Sequence, residues 1–115
     1  MTGFNKDEGT LAPYIFIPES VYSLTPPYIN RTWYENYVSG TLGFYKMDSD
    51  IVKEAALQEY TDWTVADDPT ADFFASSVAF AGDIDFARDS DRIVRAHDNK
   101  GGSVFKYFMT HEPSK

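Results

Sequence analysis

Apolar and polar positions along this chain change rhythm several times, and each change marks a boundary. Gly3-Phe4-Asn5 follows Met1-Thr2 as a short apolar lead, then runs through Lys6 into the acidic pair Asp7-Glu8 and on to Gly9-Thr10. That order predicts the end of a strand over residues 1 to 5, followed by a turn that presents a carboxylate. Between Leu11 and Ile29, Tyr14, Ile15, Phe16, Ile17, Tyr22 and Tyr28 are scattered among Pro13, Pro18, Pro26 and Pro27. Prolines fix φ and remove backbone donors, so no long helix is expected there. The density of aromatic side chains predicts an ordered, packed loop instead.

Helical spacing then takes over. Thr32-Trp33-Tyr34-Glu35 fits a capping box, which predicts a short helix to about Ser39 with Gly40 as its stop. Ser49 is expected to cap a second helix, where Asp50 and Glu54 suit the positive end of the helix dipole. Ile51, Val52, Ala55, Ala56, Glu59 and Tyr60 recur at helical spacing up to Trp63, and Asp67-Asp68-Pro69 breaks the pattern. From Ala71 to Asp98 a long helical pattern resumes, with Phe73, Phe74, Ser77, Phe80, Ala81, Ile84, Ala87, Val94 and His97 roughly along one face. Gly82-Asp83 is the expected kink. Asp83, a carboxylate within an apolar face, is expected to pair with a buried arginine. Arg88, Arg92 and Arg95 read as a solvated stripe with Asp89, Asp91 and Asp98 as neighbours. Asn99-Lys100-Gly101-Gly102 turns the chain into a strand from Ser103 to Thr110, apolar on both faces and suited to a sheet covered on both sides.

The predicted architecture is therefore α/β: two sheet strands flanking a long loop and three helices. Two strands do not make a stable sheet by themselves, so residues 1–115 read as a piece of a single larger domain. Composition sets limits on what that domain does. With 43% hydrophobic and 17% aromatic residues, the chain is not an intrinsically disordered one. Its net charge of −8 argues against nucleic-acid backbones and anionic membrane surfaces as partners. The absence of cysteine excludes disulfides and thiol chemistry. No apolar run reaches membrane-spanning length and the start does not resemble a signal peptide. No cofactor or metal is called for. Asn30-Arg31-Thr32 is an N-glycosylation sequon and tilts the reading toward secretion.

Taken together, four segments resemble the type-B carboxylesterase and cholinesterase family. Gly3-Phe4-Asn5-Lys6-Asp7-Glu8-Gly9-Thr10 is similar to the segment that carries the acidic member of that family's catalytic triad. Tyr60-Thr61-Asp62-Trp63 resembles the end of a later helix, and Gly82-Asp83 with Phe86 resembles a Gly-Asp-x-x-Phe helix element. Gly102 to His111, with Val104-Phe105-Lys106-Tyr107, is similar to the strand that follows. The matches occur in order and span nearly the whole chain.

The resemblance implies a partial α/β-hydrolase fold from the C-terminal half of such a domain, in a secreted, glycosylated serine esterase that needs no cofactor. In that fold the triad runs Ser, then acid, then His. Glu8 matches the acid, which would hold a histidine in the correct tautomer and stabilise its imidazolium during acyl transfer to and from a small ester. Without the surrounding match, Glu8 would read as a surface carboxylate beside Asp7. No Gly-x-Ser-x-Gly elbow occurs in the chain, and His111 matches a strand-end histidine instead of the catalytic one. His97 reads as a packing or capping residue. The nucleophile and catalytic histidine are thus expected outside these residues, and the chain alone is not expected to hydrolyse esters.

Leu11, Ala12 and Pro13 stand where cholinesterases carry aromatic rings able to hold a quaternary ammonium, with Tyr14 close by. Arg88 stands near a half-cystine of that group, Asp89 replaces a common proline and Met109 a strand phenylalanine. These departures favour a general carboxylesterase over a choline esterase. The resemblance also implies a homodimer through the Asp50 to Trp63 helix; an amphipathic helix packed on its own domain is the alternative. Two further readings compete: a fragment of a non-catalytic, cholinesterase-like adhesion or binding protein that has lost the nucleophile, and a self-contained acidic α+β protein.

Overall fold

The computed structural model describes residues 1–17, 19 and 25–111, so Pro18 and Tyr22 of the predicted loop lie outside the described residues. Two strands frame the chain, β1 (Thr2–Asn5) and β2 (Lys106–Met109). They pair in parallel, with Thr2 opposite Lys106, Gly3 opposite Tyr107, Phe4 opposite Phe108 and Asn5 opposite Met109. Between them, among the described residues, run five α-helices: α1 (Leu11–Phe16), α2 (Arg31–Phe44), α3 (Asp50–Tyr60), α4 (Phe74–Gly82) and α5 (Arg88–Asp98). A parallel pair demands a long crossover, and here all five helices lie within it. The architecture is mixed helix and parallel sheet, as the α/β expectation requires. Among the described residues no helix is long and apolar enough to cross a membrane.

Several expected boundaries move. Leu11–Phe16 is a short helix where a loop is expected. Pro13 is tolerated because it occupies the first turn, where backbone N–H groups have no intrahelical partner, and its carbonyl still accepts from Ile17 N at 3.0 Å. The cap of α2 is Asn30, not Thr32: its Oδ1 accepts from Trp33 N at 2.8 Å, while Glu35 turns away to pair with Arg31 at 2.7 Å.

The same helix runs through Gly40 to Phe44. Gly40 is exposed and a side chain there would meet nothing, so it neither packs nor stops the helix. The stop is a Schellman motif built on a lysine. Lys46 takes the left-handed conformation (φ 57°), with Lys46 N donating to Gly43 O at 3.0 Å and Met47 N to Leu42 O at 2.8 Å. Ser49 does cap α3, accepting from Val52 N at 3.4 Å, but the helix ends at Tyr60 and Trp63 lies beyond it, its indole N–H donating to Gln58 O.

The long pattern after Ala71 is one helical rod with a change of pitch. Asp83–Ala87 forms a π turn between α4 and α5, at the position where Gly82-Asp83 predicts a kink. The core lies on one side of this rod. Tyr34, Val38 and Leu42 recur every fourth residue on α2 and meet Phe73, Phe80 and Ile84, with Ile29 completing the cluster. The rings of Tyr34 and Phe73 stack 5.4 Å apart, both almost fully buried, and the Tyr34 hydroxyl shares a hydrogen bond with Thr61 Oγ1. Asp72 Oδ1 accepts from both Ile29 N and Phe74 N at 3.0 Å, tying the entry of α2 to the entry of α4.

Candidate functional site: the carboxyl end of the strand pair

Three local features position the residues that follow β1. Asp7 adopts the left-handed region (φ 60°, ψ 22°), reversing the chain as it leaves the sheet. Glu8–Thr10 then forms a single 3₁₀ turn, closed by Thr10 N donating to Asp7 O at 2.9 Å. Gly9 is buried against α4, where a Cβ would overlap the Val78 carbonyl oxygen and the Gly82 amide nitrogen. Only a glycine permits that approach. Glu8 is therefore held by a backbone-to-backbone contact between its turn and a helix.

A small cleft of about 190 Å³ opens at the carboxyl ends of both strands. Phe4 and Phe108, cross-strand neighbours with ring centroids 5.1 Å apart, line it together with Asp7, Glu8, Val78 and Asp83. Glu8 is half-buried, and among the described residues its carboxylate has neither a hydrogen bond nor an ion pair. Asp7 differs: it lies 3.8 Å from Lys6 Nζ.

The expectation that Asp83 pairs with a buried arginine is not met. Its Oδ2 accepts the Tyr60 hydroxyl at 2.7 Å, and two residues later Asp85 Oδ1 accepts the Tyr45 hydroxyl at 2.6 Å. Asp83 is too exposed to need a full counter-charge, and a neutral phenol satisfies it. Two tyrosines thus reach the two carboxylates of the π turn, one from α3 and one from the end of α2. Burial, and then the bond to Asp83, push the Tyr60 hydroxyl pKa well up; the bond to Asp85 raises that of Tyr45. Arg88 lies over the Tyr45 ring at 4.2 Å while its guanidinium pairs with Asp89. The rest of the basic stripe is solvated and paired as expected: Arg92 with Asp89, Arg95 with Asp91.

Neither histidine lines the cleft; both are exposed. The His97 backbone carbonyl accepts from Lys100 N and Gly102 N where the chain turns at the end of α5. Among the described serines, Ser77 donates to Phe73 O and Ser90 to Gly3 O, so both hydroxyls serve packing. Among the described residues no group of three or more acidic or histidine side chains is placed to hold a metal. What the cleft offers chemically is one uncommitted carboxylate beside two aromatic rings, able to accept a hydrogen bond.

A larger apolar groove, about 450 Å³, lies between α1, α2 and the π turn. Phe16, Tyr37, Phe44 and Tyr45 line it, and burial raises the Tyr37 hydroxyl pKa to about 12. Sequence reasoning passed over it because Gly40 read as a helix stop. Once α2 continues, Tyr37, Thr41 and Tyr45 fall on one face at intervals of four.

Asn30 is exposed at the start of α2 and lines none of these cavities. α3 packs Ala56, Leu57 and Tyr60 onto the core while Ile51, on its other side, stays 80% exposed. No family model, curated protein or solved structure matches the chain.

Proposed function

We propose that this chain is the acid-bearing portion of a serine carboxylic-ester hydrolase of the type-B carboxylesterase and cholinesterase kind, built on an α/β-hydrolase sheet. Glu8 is the triad acid; a serine and a histidine supplied outside these 115 residues complete the acyl-transfer machinery. One observation carries the reading. Glu8 lies on the turn that leaves the carboxyl end of β1, just past Lys6 and Asp7, and β1 pairs in parallel with its neighbour across a helical crossover. Chemistry on open α/β sheets sits outside the carboxyl ends of the strands.

The geometry of the turn supports the same role. A carboxylate without a partner among the described residues, on a turn pinned by Gly9 against α4, is preorganised to accept the Nδ1–H of an imidazole. Its charge would stabilise the imidazolium formed when the histidine takes the serine proton. The small apolar wall of Phe4 and Phe108 would limit water around that pair, which strengthens the hydrogen bond.

The test is Glu8→Gln in the polypeptide that carries the serine and histidine, assayed on p-nitrophenyl esters. Glutamine keeps the shape and removes the charge, so kcat should fall on the order of 10²- to 10⁴-fold with the fold unchanged. Full activity in that variant removes Glu8 from the triad. A polypeptide whose elbow lacks serine and turns over no ester makes the chain part of a non-catalytic binding protein.

A further inference from the structure

We propose that Asn30 is an N-glycan acceptor whose side chain serves two functions through two different atoms: Oδ1 caps α2 and Nδ2 carries the sugar. The inference does not depend on the esterase reading. Asn30-Arg31-Thr32 is the one Asn-x-Ser/Thr sequence in the chain, and its middle residue is not proline. Asn30 and Thr32 are both exposed. The Asn30 backbone is extended (φ −76°, ψ 166°), outside the helix it caps.

Amide chemistry makes the two functions compatible. Oδ1 is occupied as acceptor for Trp33 N at 2.8 Å. Nδ2, the atom a glycan attaches to, has no partner among the described residues. The Thr32 hydroxyl does not cap the helix, and among the described residues it makes no hydrogen bond. In the transfer, Nδ2 forms a bond to the anomeric carbon of an oligosaccharide carried on a polyprenyl diphosphate. The bond from that carbon to the diphosphate oxygen breaks, the diphosphate leaves with the electron pair, and Nδ2 loses one proton. Oδ1 takes no part in the linkage and keeps its lone pairs for Trp33 N. A glycan is therefore compatible with the N-cap, which is worth about 1 kcal/mol.

The experiment is translation of the full 115-residue chain behind a cleavable secretory signal, in the presence of microsomes, scoring only protease-protected chains. Wild type and Thr32→Ser should shift in gel mobility by one glycan, and peptide N-glycanase should reverse the shift. Asn30→Asp, Thr32→Ala and Arg31→Pro should not shift. Arg31→Pro is the discriminating variant, because proline suits the first position of a helix yet blocks the sequon. Protected wild-type chains that stay unshifted, or a shift that survives Arg31→Pro, overturn the assignment. Glycanase leaves aspartate at position 30, itself a good N-cap. The deglycosylated and glycosylated chains should therefore melt with the same helical signal, whereas Asn30→Ala should lower the melting temperature. Loss of helix on glycosylation overturns the shared use of the side chain.

Discussion

The two ends of this molecule are built to different standards. Around α2, α3 and α4, side chains interlock: Tyr34, Phe73, Ile29 and Val38 are essentially fully buried, and every buried polar side-chain atom among the described residues has a partner. Around the strand pair they do not. Phe105 is 70% exposed, Phe108 56% and Met109 51%. The expectation of a sheet covered on both sides fails for β2, all of whose residues are exposed. The difference teaches that helical packing is satisfied locally, because α2 and α4 each supply the other's missing face. A strand's apolar side chains need cover that the described residues do not provide.

The sharpest way to break the comparison is to truncate one aromatic residue at each end. Phe73→Ala removes a ring stacked on Tyr34 and leaves a cavity in the core, at a cost of about 3–5 kcal/mol. Phe108→Ala removes a ring already more than half in water, and should cost under about 1 kcal/mol. Urea titration followed by circular dichroism measures both. Equal costs would mean that the strand pair is as tightly packed as the helices.

A smaller effect probes the seam between the two regions. Gly9 and Gly82 face each other, but a Cβ on Gly9 collides with helix backbone, whereas a Cβ on Gly82 comes no nearer than 3.6 Å to Gly9 N. Gly9→Ala should destabilise by about 1–3 kcal/mol, through displacement of the Glu8 turn from α4. Gly82→Ala should be neutral or slightly stabilising, since alanine is the better helix former. The same denaturation curves decide the matter, and equal destabilisation by both variants would remove Gly9 as the positioning residue for Glu8.

The contrast also explains what could be read from the chain beforehand. Periodicity located the α2, α3 and α4–α5 regions and both strands, because each buries or pairs a repeating face. It misjudged ends decided by single hydrogen bonds. Asn30 and Thr32 are both residue types that cap helices, and the choice between them rests on a single bond, the one Trp33 N donates to Asn30 Oδ1. The stop at Lys46 was illegible because a lysine holds the left-handed position usually given to glycine. The short α1 was hidden by Pro13, which signals a loop unless the turn before it has already started the helix. Glu8 was legible as a presented carboxylate, but its cleft was not, since the Gly9–Val78 contact joins residues far apart in sequence. The partners of Asp83 and Asp85 were hidden for the same reason, because both tyrosines come from other helices.

Those tyrosines give the gentlest test of the packed region. Tyr34, Tyr37, Tyr45 and Tyr60 all have their hydroxyl pKa raised on folding, by burial for Tyr34, Tyr37 and Tyr60 and first by the bond to Asp85 for Tyr45. A phenol with a raised folded pKa holds its proton where the unfolded chain, at about 10, has begun to release it. The folded state then binds more protons, so stability falls as pH rises. For Tyr37 the contribution is complete below pH about 10 and is lost progressively up to about 12, and for Tyr60 the loss extends to still higher pH. The melting temperature should therefore hold between neutrality and mildly alkaline pH, then decline. Tyr60→Phe should lower stability by about 1 kcal/mol at neutral pH, through loss of the bond to Asp83. It should also flatten the alkaline decline, because one of the four titrating phenols is gone. A decline as steep as wild type would mean that Tyr60 ionises as freely in the folded protein as in the unfolded one, and that its bond to Asp83 does not hold the π turn against α3.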